Sequence, residues 1–419
     1  VARGAAAGAA AVAEDDGREA IVNVHRWVIH SVCLGLVLLH CGAAHAQDSR
    51  ADEIAAEQAK KARDLKPYVE SAAERWTETI TREFLAEPGG FYPFFGSVYS
   101  GGGFTLGAGY RQFYGDRTHW DVKGLYSFKN YKYIAFSTDS WGLAHGLIDL
   151  HANVGWRDAT QVAYYGLGIE SPQDRSNFGM KQAFFGGDMA IRPGGHSVFG
   201  AGLAYEDFTL EEGAGTDPSI EQIHTPATAP GLGESPSYIH TMASAGIDWR
   251  PAAGYARTGG LYQISYHDYA DRNGSLDFDR VDGEIVQHIP ILRENWVFSA
   301  HGLVQTILDD DNTVPYFLLP SLGSGSTLRA YPAWRFRDRH SLLMSGEFRW
   351  IPSRRGIDMA VFYDAGKVVP RWDDLSLKGL KHDVGVGIRF HGPAATPLRI
   401  EVAKGREGFN LVFAGSAAF

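Results

Sequence analysis

Beyond residue 41 the sequence has no cysteine. The chain holds two in all, Cys33 and Cys41. No disulfide can form downstream of them, so an exported fold there relies on backbone hydrogen bonding and burial. Long apolar runs are missing too. After residue 46 none approaches ~18 consecutive apolar positions, which excludes a transmembrane helix. If this part spans a membrane it does so as a closed barrel, because open sheet edges cannot lie in lipid. There is no basic excess: Lys+Arg 39 stand against Asp+Glu 49, a net charge of -10. No nucleic-acid partner is expected of such a chain. No G-x-S-x-G, H-E-x-x-H or phosphate-loop motif occurs, so no enzyme is expected. Nor is a metal or cofactor. The run Asp309 to Asn312 lacks the ligand set of a calcium loop and reads as a solvated turn. His145 and His151, six apart, read as two histidines on one face of a single strand, interfacial or lumenal.

What is present points to sheet. Gly 50 and 12% aromatic residues suit many turns and aromatic girdles better than helices. Residues 1–46 lie outside the expected fold. Residues 1–20 are Ala/Gly-rich and resemble an over-extended start. His25 and Arg26 then precede an apolar run over 28–39, and Ala44 and Ala46 form a small-residue cleavage site. This is the pattern of a secretory signal peptide cut after Ala46. A lipoprotein signal at Cys41 is the rival, with His40 a poor fit. Residues 52–87, rich in Ala, Glu and Lys and broken at Pro67, read as helix. "EPGGFYPFFG" ends it. Residues 47–95 are therefore expected as a short helical segment on the periplasmic side.

From about Gly102 onward the period is two. In "DVGVGIRF", Val384, Val386, Ile388 and Phe390 face one way; Asp383 and Arg389 face the other. In "PLRIEVA", Leu398, Ile400 and Val402 oppose Arg399 and Glu401. In "IDMAVFYD", Met359, Val361 and Tyr363 oppose Asp358, Phe362 and Asp364. In "LLMSGEFRW", Phe348 and Trp350 oppose Glu347 and Arg349. Strand side chains alternate faces, so one face is apolar and the other polar or charged. A soluble sandwich alternates as well. Strand lengths near ~9–11 residues, short turns such as "IPSRRG" and aromatic strand ends favour a membrane barrel. The expectation is all-β: a transmembrane antiparallel β-barrel over 96–419 with a short N-terminal helical segment. The direct tally is about 14 strands, with 102–113 first, 408–419 last and 118–138 as one strand or two. The long connections 211–236 and 308–339 are expected outside, the former mobile.

One stretch does not fit a solvated loop. "LPSLGSGSTLRAYPAWRFRD", residues 319–338, precedes "LLMSGEFRW" and "AVFYDAG". In that order the three resemble the BamA/TamA superfamily of outer-membrane assembly barrels, the bacterial surface antigen family. Its hallmark is an L-R-G-Y or V-R-G-F tip on a loop folded into the lumen. The matching residues are Leu328, Arg329, Ala330 and Tyr331. The resemblance is strong over roughly 315–419. It implies 16 strands, and an arginine lock from Arg329 to Glu347 and Asp364. Alternation independently turns both acids inward, where a carboxylate needs a cationic partner. Arg329 offers a planar fork that lysine lacks. Arg335 and Arg337 have no such match and read as solvated or lumen-lining. Ala330 replaces the family glycine, which predicts a loosely docked loop if that position needs a left-handed backbone or close contact. The sequence has no room for a POTRA domain in residues 47–101.

The resemblance implies insertion or translocation of protein or lipid at the outer membrane of a Gram-negative cell. The expected partners are outer-membrane lipids, client proteins or lipids, and the barrel-assembly machinery for the chain's own insertion. A weak seam between 102–113 and 408–419, with Gly415 in a run of small residues, would be its working edge. Phe419 would lie at the periplasmic interface as an insertion signal. The alternative is a passive diffusion channel or structural outer-membrane protein that has lost the assembly role.

Overall fold

The computed structural model describes residues 56–58, 60, 89–115, 117–291, 295–309, 314–352, 356–392, 395–396 and 398–419. The chain divides into two units, Val1–Arg75 and Trp76–Phe419. In the first, the described residues are helical. The expected signal peptide and most of the expected 52–87 helix lie outside the described residues.

The second unit is one antiparallel sheet of 16 strands. Its first half is β1 (Gly90–Gly96), β2 (Thr105–Gly115), β3 (Thr118–Ser127), β4 (Lys132–Gly142), β5 (Ile148–Tyr164), β6 (Ser176–Ile191), β7 (Ser197–Glu212) and β8 (Ser237–Asp248). Then come β9 (Gly259–Asp271), β10 (Phe278–Ile291) and β11 (Trp296–Ile307). The two-residue strands β12 (Ser321–Leu322) and β13 (Phe336–Arg337) pair with each other inside the next connection. The sheet resumes with β14 (His340–Trp350), β15 (Ile357–Val369), β16 (Lys381–Phe390), β17 (Leu398–Gly405) and β18 (Gly408–Ala414). Every strand of the sheet pairs with its neighbours in chain order, β11 passing directly to β14. Among the described residues no ladder joins β1 to β18.

Burial along these strands is inverted relative to a soluble sheet. On β15, Met359, Val361 and Tyr363 are exposed while Asp358, Phe362 and Asp364 are buried. On β16, Val384, Val386 and Ile388 are exposed while Asp383 and Arg389 are buried. The exposed apolar face runs on through Ile134, Val154, Leu203, Ile264 and Ile285 of earlier strands. Water would penalise such a surface and lipid would not, so the alternation has the polarity of a membrane barrel.

One strand was not legible in the tally, and one reading left open is now decided. "GFYPFFG" looks like a helix stop because it carries Gly and Pro, yet it forms β1 and pairs with β2 from Gly90↔Arg111 to Gly96↔Thr105. The stretch 118–138 splits at a turn into β3 and β4. The expected seam at 102–113 is therefore corrected. Those residues belong largely to β2, which has partners on both sides, and β1 is the free edge. Strands sit at their edges, where a missing N–H is tolerated, when they contain proline, as Pro93 does here.

The connection expected as a mobile loop over 211–236 is packed against the sheet along part of its length. It contains a one-turn helix, Ile220–Ile223, and Ile220 and Ala229 are fully buried. They join Tyr164, Phe178, Phe208, Tyr238, Tyr316 and Phe317 in an apolar cluster at the long-connection end of the sheet. The Tyr316 N–H donates to the Pro230 carbonyl at 2.8 Å, tying the two long connections together. The few apolar residues in a Gly/Pro/Thr background are the ones that pack.

Candidate functional site

The connection between β11 and β14 turns back over the polar face of β14 to β18. Gly323 opens the turn, accepting from the Trp334 N–H at 2.9 Å and donating to Thr327 Oγ1 at 3.0 Å. Leu328 and Tyr331 are fully buried and join Phe336, Leu343 and Phe362 in a second apolar cluster. Those contacts anchor the tip and present Arg329 to the strands.

Arg329 Nε and Nη2 donate to the two oxygens of Asp364 at 2.7 and 2.9 Å. This is the bidentate geometry that a guanidinium allows. Nη1 reaches Glu347 Oε2 at 3.2 Å and Glu401 Oε1 at 3.3 Å. The guanidinium carbon sits 3.4 Å from the centre of the Phe362 ring. The residue is 2% exposed. Tyr331, its neighbour in the motif, donates to the His382 carbonyl at 3.3 Å.

The sequence-predicted residues Arg329, Tyr331, Glu347 and Asp364 thus come together, and several that were not foreseen join them. Arg389 pairs with both oxygens of Glu347 and with Glu401 at 2.9 Å. Arg399 holds the other Glu401 oxygen at 2.6 Å. Arg349 lies 3.7 Å from Glu347. Asp383 accepts from the Ala330 N–H at 3.1 Å. Arginines 329, 349, 389 and 399 therefore face carboxylates Glu347, Asp364, Asp383 and Glu401, all buried. Charges this dry are tolerable only when mutually paired and hydrogen-bonded. The signal for the missed members was present: Asp383, Arg389, Arg399 and Glu401 all fall on the polar face by alternation.

Ala330 does not loosen the tip. It is not among the residues with positive φ. The close approach is provided from the other side, by Gly405 on β17. A Cβ there would lie 3.1 Å from the Tyr331 ring and 3.2 Å from Ala330 Cβ. The side chain that Ala330 adds is absent from its neighbour.

Arg335 and Arg337, expected in solvent or lining the lumen, are both buried. Arg335 binds Glu407 through Nε and Nη2, each at 2.8 Å, and also donates to Ser171 Oγ at 2.8 Å. Arg337 donates to the Tyr316 carbonyl at 2.9 Å and faces the Trp334 ring at 4.9 Å. Burial among these rings pushes its guanidinium pKa down.

Gly415 and Phe419 are placed differently from expectation. β18 ends at Ala414, so Gly415 lies past the ladder. Residues 415–419 turn to the polar face, where the Phe419 ring stacks on His301 at 5.0 Å and lies 6.3 Å from His288. The small side chains at 415–418 permit the turn, and the imidazoles give the ring a partner that the outer girdle does not. His145 and His151 do not share a strand: His145 sits in a turn with φ 63, and His151 on β5 pairs with Asp139 at 2.7 Å. Asp309 accepts from the Asp279 N–H at 2.7 Å; the remainder of the 309–312 run lies outside the described residues.

Comparison with known proteins agrees with this architecture. Residues 254–410 match the Omp85 superfamily domain. No curated protein matches the sequence. Among solved structures, BamA from Haemophilus ducreyi lacking POTRA domains 1-3 is similar at TM-score 0.55 and 15% identity, covering 78% of this chain and 69% of that one. CdiB from Escherichia coli is similar at TM-score 0.51 and 13% identity, covering 78% of this chain and 60% of that one. At such identities the likeness is one of fold. The 16-stranded sheet has a BamA-like fold, and across residues 254–410, which include the buried ion network and the connection it holds, the chain carries an Omp85 superfamily domain.

Proposed function

We propose that this protein is an outer-membrane barrel of the assembly type, which inserts or translocates protein or lipid, with β1 and β18 meeting at an openable seam. The supporting observation is the pairing pattern. Fifteen consecutive neighbour pairings follow from a 16-strand order, and the remaining pair, first with last, has no ladder among the described residues. Both edge strands are short, 7 residues each. Unpaired backbone edges accept a further strand readily. Outer-membrane lipids would contact the exposed apolar face, and client proteins or lipids the edge. The residues before β1, from about 47 to 89, would lie in the periplasm and the long connections outside.

The alternative, a passive diffusion channel, has less support. Tyr164, Phe178, Tyr316, Phe317 and their neighbours form a packed apolar cluster at the long-connection end, and no ion crosses such packing cheaply. A paired assay decides between the two. The purified protein in liposomes should accelerate folding of an added outer-membrane protein over empty liposomes, and in planar bilayers should show little steady conductance. Steady conductance without acceleration would establish the channel instead. Cysteine pairs between 90–96 and 408–414 test closure: failure of every register to cross-link would refute an edge-to-edge barrel.

A further inference from the structure

We propose that residues 323–335 form a side-chain clasp between the first hairpin and the last, holding the long-connection end of the unladdered edge together. The two hairpins are the ends of the sheet, and the pairing pattern leaves them without a shared ladder. One short segment touches both.

Toward the last hairpin the contacts are polar. Arg335 grips Glu407, in the turn between β17 and β18, with two hydrogen bonds of 2.8 Å. Asn410 on β18 donates to the Arg329 carbonyl at 2.8 Å, and Arg399 on β17 donates to the Gly325 carbonyl at 2.8 Å. Gly325 lies so close to β18 that an added Cβ would be 2.6 Å from Val412 Cγ1.

Toward the first hairpin the contact is chiefly one side chain. Trp334 donates its indole N–H to the Ser100 carbonyl at 2.9 Å, in the connection between β1 and β2. Its ring stacks on Tyr99 with centroids 5.0 Å apart. Arg157 caps the far side of that stack, 5.2 Å from the Tyr99 ring, and Arg337 lies 4.9 Å from the Trp334 ring. Consecutive residues 334 and 335 thus reach opposite edges of the sheet. The backbone at Trp334 is bent to allow it: φ is 65°, a left-handed value that bulky residues rarely adopt. The gain from the indole hydrogen bond and the stack holds it there.

The clasp joins ends that backbone pairing leaves apart. Without it the long-connection ends of β1 and β18 separate, even if Arg329 still holds the tip on β14 to β17.

The test uses the full chain with Cys33→Ser and Cys41→Ser, spin-labelled at Ser97→Cys and Arg406→Cys. Both positions are exposed, one in each terminal hairpin. Pulsed electron paramagnetic resonance in liposomes should give one narrow distance. Adding Trp334→Ala with Arg335→Ala should lengthen it by about one strand spacing, ~5 Å, with each single variant between. If the double alanine variant does not fold, Trp334→Phe with Arg335→Lys keeps ring and charge but removes the indole donor and the fork, and should broaden the distribution toward longer distances. An unchanged distribution in a folded double variant would overturn the clasp. The readout is a distance, so it stands or falls separately from insertion activity.

Discussion

The polar face of β14 to β18 and that of β6 to β10 alternate alike and carry similar residue types, but one is dry and the other is not. In the first, the Arg329, Glu347 and Asp364 side chains are 2%, 1% and 0% exposed. In the second, a row crosses β7 to β10: His240 with Glu206 at 3.2 Å, His240 with His267 at 3.0 Å, and His267 with Asp282 at 3.7 Å. Those side chains are 15–18% exposed. The covering segment makes the difference. Residues 323–335 lie against β14 to β18 and exclude water there, which raises the strength of each ion pair and the cost of breaking one. Where side chains stay partly open to solvent, as in the β7–β10 row, water weakens the polar contacts they make.

The sharpest way to break this contrast is Arg329→Ala. It leaves Asp364 without its bidentate partner and removes one partner each from Glu347 and Glu401, at about 3–5 kcal/mol in so dry a setting. The heat-resistant folded band should weaken and the 308–339 connection should become protease-sensitive. Arg329→Lys should recover only part of both, because the fork is lost. An alanine variant with unchanged stability and protection would show that the network does not hold the loop.

Asp338 tests the edge of the dry region. Burial pushes its carboxyl up to about 6, above an ordinary unfolded value of about 3.9. The folded state therefore binds the proton more tightly. Its contribution is least unfavourable below about pH 4; stability then falls as pH rises toward 6 and levels off above that, by about 3 kcal/mol at most. Asp338→Asn should remove this dependence, seen as folded-band melting between pH 4 and 7. Equal pH profiles for the two proteins would assign the dependence to other groups.

A glycine pair compares the two faces directly. Gly405→Ala puts a Cβ 3.1 Å from the Tyr331 ring, an overpacking expected to cost about 1–3 kcal/mol. Gly202→Ala on the polar face of β7 meets only ordinary contacts, the nearest being Met242 Cε at 3.4 Å, and should stay within about 0.5 kcal/mol of the parent. Equal effects would mean that both faces are equally packed. A small change is also expected of His240→Asn. It removes a half-screened contact worth less than about 1 kcal/mol, and melting in parallel with the parent will check it.

Alternation over 340–404 was readable because it is local: the strand geometry alone sends Glu347, Asp364, Asp383, Arg389 and Glu401 to one face. The absence of cysteine and of a long apolar run after residue 46, together with that alternation, left a membrane barrel as the leading reading before any coordinates. Arg329 could be singled out from its motif. Its pairing with Glu401, 72 residues away, could not, because alternation gives a face and not a partner. Nor could β1, whose "GFYPFFG" is a strand only because β2 pairs with it. The grip of Arg335 on Glu407 and the reach of Trp334 to Ser100 were equally invisible. These contacts depend on how the ends of a long sheet are brought together. That is decided by non-local pairing and by what the returning segment covers, and neither is encoded in any short window of residues.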